Sequence, residues 1–247
     1  MEKTQFEMNM KQIEKLNGKG KYGDSLQILT KMLDTEKDDK EHLADLYSKI
    51  SEAYYGKEGV RTENAISNLI ESLKIRSELK QPEILALEMM NLAYLQDEAG
   101  SLSNAEKTLN EAMEIARQLE DLTLTLSIKN ALADILSEDK SRSSESENLY
   151  KEIMSISEKE AIWEIYYESC VSLIKLLRDN ERAENAMSLS EENIRKAEAI
   201  LGKLKTKKEK EEFKDLISYL YDVSIDLAME NNDMALANDL AKKFTSS

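Results

Sequence analysis

The chain has little that bends or staples a polypeptide: 7 Gly, 1 Pro and 1 Cys in 247 residues, with only 6% aromatic side chains. One cysteine, Cys170, excludes an internal disulfide. So few helix breakers point to an all-α fold. The glycines are scattered and form no clustered phosphate-binding loop. No apolar run approaches a membrane span, and Glu2, Lys3, Gln5 and Glu7 stand where a secretory signal would need an apolar core. Positive charge is in the minority, with 34 Lys and Arg against 49 Asp and Glu, a net charge of −15. That sign repels phosphate backbones, so neither nucleic acid nor a membrane is expected as a partner. The expectation from these absences is a soluble cytoplasmic protein.

What is present is a period. Small residues recur at Ser25, Ala65, Ala105, Ser146, Ala186 and Ala237, with gaps of 40, 40, 41, 40 and 51. A fixed period of this size marks stacked helical repeats, each burying its apolar face against its neighbours. With 34% charged and 41% apolar residues, the composition suits long amphipathic helices. The clearest unit is the third. Leu85, Met89, Leu92, Ala93 and Leu95 recur at helical spacing, Gly100 follows where that helix should stop, and Ser103, Ala105, Leu109, Ala112, Met113 and Ile115 form a second helix.

Leu92, Ala93, Gly100, Ala105, Leu109 and Ala112 match, slot by slot, the small and large positions of the tetratricopeptide repeat, which this chain resembles. Met89 replaces the family's early aromatic, and Arg117 stands near its terminal proline. A period near 40 is similar to the long-helix variety of the family. The resemblance implies a right-handed superhelical solenoid of six helical hairpins, in one domain over 1–247 with repeats near 1–38, 39–80, 81–119, 120–158, 159–201 and 202–247. The fourth and fifth turns lack glycine and have Lys140-Ser141 and Asn180-Glu181 instead. The longest gap falls at Leu201 to Phe213, a Lys/Glu-rich stretch that reads as extended helix ends or a solvated loop.

Candidate chemistry is sparse, and no metal, cofactor or catalytic activity is expected. His42, the only histidine, sits among Asp38, Asp39, Lys40 and Glu41 and reads as a solvated helix start. Cys170, between Tyr166, Tyr167, Val171 and Leu173, reads as a buried structural thiol. Trp163 with Tyr166 and Tyr167 reads as core and groove lining, with a binding hot spot as the alternative.

In the family the first helices line a concave groove. Carried onto this chain, that register implies groove residues Lys49, Glu52 and Tyr55 in the second unit and Leu87, Met90, Asn91, Tyr94 and Asp97 in the third. The fourth contributes Asn130, Asp134 and Glu138, and the fifth Ser172, Lys175 and Arg178. The resemblance thus implies a non-enzymatic scaffold or adaptor binding a peptide with apolar and basic residues. Alternatives are a peptide- or ligand-sensing regulator, and a structural self-assembler joined through apolar ends near Phe6 and Phe244 as a homo-oligomer.

Overall fold

A computed structural model describes residues 3–36, 38–59 and 62–246. The ends of the expected repeat array, Met1 and Ser247, and Glu2 of the N-terminal polar run lie outside these. Among the described residues there are twelve α-helices and no strand. The helices fall in two compact units, Met1–Ala131 and Leu132–Ser247, whose boundary lies within one helix. The first unit holds α1 (Lys3–Asn17), α2 (Tyr22–Thr35), α3 (Lys40–Glu58), α4 (Glu63–Glu78), α5 (Pro82–Glu98) and α6 (Leu102–Gln118), and the start of α7 (Leu122–Ser137). The second holds the end of α7, then α8 (Ser143–Lys159), α9 (Trp163–Asp179), α10 (Ala183–Leu201), α11 (Lys207–Glu230) and α12 (Met234–Ser246). This is an all-α fold of the tetratricopeptide type, as the resemblance implies.

The recurring small residues sit in the first turn of the even-numbered helices. Ser25, Ala65, Ala105, Ser146 and Ala186 are 0% exposed and Ala237 is 6% exposed. Small side chains there let paired helices approach closely, and flanking Leu and Ile fill the remaining space. In the first unit Phe6, Ile13, Leu29, Met32, Leu46, Ile50 and Ala53 form one core cluster, and Ala65, Leu69, Leu92 and Leu95 another. Tyr54 packs against both. The second unit has a larger core around Tyr150, Tyr166, Tyr167, Leu173, Ile217, Leu220 and Leu227.

Helices end by one recurring device. Gly20, Lys80, Gly100, Glu120, Ala161, Glu181 and Asn232 all have positive φ, between 55° and 74°. The next residue's N–H then bonds back five residues, as in Ser101 to the Gln96 carbonyl at 2.8 Å and Ile162 to the Ser157 carbonyl at 2.8 Å. These bonds satisfy carbonyls the helix leaves open. The turn at Lys140-Ser141 works differently: Asp139 accepts from the Ser141 N–H at 2.8 Å across a short 3-10 segment, Lys140–Arg142.

The insertion before the sixth hairpin becomes a short loop and a long helix. Thr206 and Glu209 form a reciprocal capping box, and α11 runs 24 residues from there. One expectation is corrected. His42 is no solvated residue, because its ring stacks on Phe6 at 3.7 Å and 8°, and its Nδ1 lies 2.7 Å from Glu36 Oε2. Asp39, beside it, does cap α3 by accepting from the His42 N–H at 3.0 Å.

Candidate functional site

In the first unit α3 and α5 enclose a groove of about 490 Å³. Their helical periodicity brings Glu52 and Tyr55 opposite Asn91 and Tyr94, four of the residues implied by the repeat register, over a floor that includes Leu69. Ser48, Ser51, Leu95 and Glu98 complete the lining. The Tyr55 hydroxyl donates to Glu98 at 2.6 Å, and this carboxylate pushes the phenol's pKa up. Glu52 accepts from Lys49 at 2.7 Å and from Asn17 Nδ2 at 3.0 Å. Ile84, Leu87 and Tyr94 are exposed along α5 at helical spacing, with Asn91 between them. Met90 and Asp97 are half-buried beside this stripe.

The register residues of the second unit gather separately. Asp134 of α7 and Glu138, in the turn just after it, border a depression with Ser172 and Lys175 of α9. The Tyr150 hydroxyl donates to Asp134 at 2.6 Å, and burial together with that carboxylate raises the phenol's pKa well above its usual range. Arg178 turns to Asp179, to which its Nε donates at 2.9 Å, with Glu230 at 3.9 Å. Asn130 departs from the register: it is 2% exposed and does not face solvent. The reason lies in α7, where Leu124, Leu126, Ile128, Ala131, Ala133 and Ile135 are all buried, so that the helix keeps little free surface at this level.

A third surface was not anticipated. Between α9 and α11 lies a cleft of about 620 Å³, bordered by Glu164, Glu168, Glu212 and Asp215, with Val171, Leu216 and Tyr219 as apolar lining. Tyr219 is 71% exposed, the most exposed of the large hydrophobic side chains described. Carrying the first-helix register into the sixth hairpin would have reached these α11 residues. The insertion ahead of that hairpin obscures the alignment.

Side chains considered for chemistry are interior. Cys170 is fully buried, and burial pushes its thiol pKa up, away from the reactive thiolate. Tyr166 and Tyr167 are core residues. The Tyr166 hydroxyl donates to Asn193 at 2.7 Å and accepts from Lys196 at 2.6 Å. Among the described residues no group of three His, Cys, Asp or Glu stands ready for a metal ion. The apolar ends expected to join copies are covered within the chain: Phe6 is buried under His42, and Phe244 packs on Tyr221 at 5.0 Å.

The fold is similar to that of solved repeat proteins at low identity. The putative kinesin light chain TPR-like repeats of Podosopora anserina superpose with a TM-score of 0.63 at 15% identity, covering 77% of this chain and 94% of that one. BtubC of P. vanneervenii gives 0.61 at 18% identity, covering 95% and 90%. A Rap protein complexed with Competence and Sporulation Factor gives 0.64 at 14% identity, covering 100% and 75%. No curated protein matches the sequence. The sequence model of the family described as Peroxisomal membrane protein PEX15 N-terminal domain matches residues 83–246. That match overturns the cytoplasmic placement expected from composition, because an acidic surface reports the solvent around the helices and carries no address. Among the described residues no helix is long and apolar enough to cross a membrane.

Proposed function

Since the chain belongs to the PEX15 N-terminal domain family, we propose that it is a non-enzymatic interaction scaffold serving a peroxisomal membrane, whose six hairpins take a segment of another protein along their first helices. The observation that carries the proposal is the α3–α5 groove. Tyr55 and Tyr94 offer broad apolar faces with a polar tip, the side-chain chemistry favoured at the centre of protein interfaces. Asn91 carries both a donor and an acceptor, which suits the backbone of an extended segment. Glu52, Glu98 and Asp97 give the groove a negative field, so basic residues beside apolar anchors fit it. The likeness of the fold to a Rap protein solved in complex with Competence and Sporulation Factor supports a binding role for a fold of this kind.

A photo-crosslinking amino acid at position 94 should capture a defined partner segment from the source cell, and Tyr55→Ser should reduce that capture. The same crosslinker at Lys107, on the exposed side of α6, should not capture it. Capture at 107 and none at 94 would remove the groove reading. A short free peptide as the captured species would favour the sensor alternative.

A further inference from the structure

The α9–α11 cleft has a character of its own. Four carboxylates border it against one cation, Lys175. Glu212 has Lys208 at 3.6 Å one turn away, whereas Glu164, Glu168 and Asp215 have no ion-pair partner among the described residues. Like charges gathered without compensation repel one another, and the repulsion is stronger where protein displaces water. At Glu168 desolvation first of all, with Asp134 and Glu164 adding to it, holds the carboxyl above the usual carboxylate range. Beside these charges Tyr219 leaves most of its ring in water, next to Leu216. A folded chain that keeps an exposed aromatic against unpaired carboxylates bears an unfavourable arrangement that a ligand of the opposite charge would relieve.

We propose that the α9–α11 cleft binds a basic stretch of a partner protein, with an arginine or lysine against Glu168 and Asp215 and an adjoining apolar side chain covering Leu216 and Tyr219. Arginine fits best, because its weakly hydrated planar head pairs with carboxylates and stacks on a tyrosine ring. The sign of the field disfavours phosphate-bearing partners. Lys175 at the border fits an acidic group on the same segment, which would give the occupant a direction. The proposal rests on the scaffold reading of the chain but not on the α3–α5 groove, so the two can fail separately.

The test uses the full chain and a short fluorescein-labelled peptide of alternating arginine and leucine, read by anisotropy at low and high salt. Arginine–serine and glutamate–leucine peptides of the same length serve as comparisons. The arginine–leucine probe should bind, more weakly at high salt. The arginine–serine probe should bind less tightly and the glutamate–leucine probe not at all. Glu168→Gln combined with Asp215→Asn should weaken binding about tenfold at low salt. The same loss of charge at Glu111→Gln and Glu114→Gln, exposed on α6, should leave it unchanged.

Because the cleft variant relieves repulsion, its melting temperature should stay level or rise, so its loss of binding will not reflect unfolding. Tyr219→Ser should also weaken the probe. Equal weakening by the α6 variant, or equal affinity for the arginine–serine probe, would reduce the effect to net charge and overturn the proposal. Should Tyr55→Ser with Tyr94→Ser abolish binding while the cleft variant does not, the probe sits in the α3–α5 groove. The α9–α11 proposal would then fall and the scaffold reading would stand.

Discussion

Glu36 shows how much one side chain can depend on a distant one. Its carboxylate accepts from His42 Nδ1 at 2.7 Å while the histidine ring lies flat on Phe6, and that hydrogen bond first of all holds the Glu36 pKa below its usual range. A carboxyl with a lowered folded-state pKa adds stability above its unfolded value, and that stability is lost as pH falls through the lowered value. Glu36→Gln should therefore be destabilising at neutral pH and should flatten the acid limb of the stability curve below about pH 4.5, where an unperturbed glutamate takes up its proton. Urea titrations across that range check it, and parallel acid limbs in the two proteins would refute it. The solvated reading of His42 missed this contact because Phe6 is 36 residues away and nothing local announces it. Cys170 was legible for the opposite reason, since apolar neighbours one turn either side already bury it. Asn91 and Asn130 were indistinguishable by residue type. Only the packing around α7 separates an exposed amide from a buried one.

Each hairpin depends on the closeness permitted at the first turn of its second helix. Ala105 is fully buried there, so Ala105→Leu should force overpacking and destabilise by about 1–3 kcal/mol. Lys107→Leu, two residues on and exposed, should change stability by less than about 0.5 kcal/mol. Thermal melts of the two variants decide this, and equal melting points would mean that the small-residue register is misplaced. Helix ends carry a second prediction. Ala161 holds φ at 56° with a β-carbon that opposes it, so Ala161→Gly should stabilise by up to about 1 kcal/mol, in contrast to the usual effect of glycine. The stops at Gly20 and Gly100 could be read in advance, because glycine advertises the left-handed conformation. Those at Lys80, Glu120 and Ala161 could not, because there the returning hydrogen bonds impose a conformation that the residue itself disfavours. The sixth hairpin was blurred similarly: its capping box at Thr206 begins α11 well before the register residues, which displaced Asp215 and Tyr219 from view.

Across the whole molecule, 49 acidic side chains against 34 basic ones make repulsion a general burden on the folded state. Raising salt from about 0.05 to 0.5 M should therefore raise the melting temperature, since the screening length falls well below the separation of most surface charges. A fall over that range would show that attractive pairs such as Arg182 with Glu147 outweigh the general repulsion. The fold class was legible at this scale because a repeated period averages out weak single matches. Membership of a peroxisomal membrane protein family was not, because net charge and hydropathy describe how helices meet water and say nothing of where a chain resides. The two compact units also bear on Cys170, which lies in the second of them and is the chain's single thiol. A thiol sealed within α9 can react with a labelling reagent only during moments when that region opens. The rate of its modification is then a clock for opening of the second unit alone, with the first unit silent, and a bound partner that clamps α9 should slow the clock without touching the sulfur.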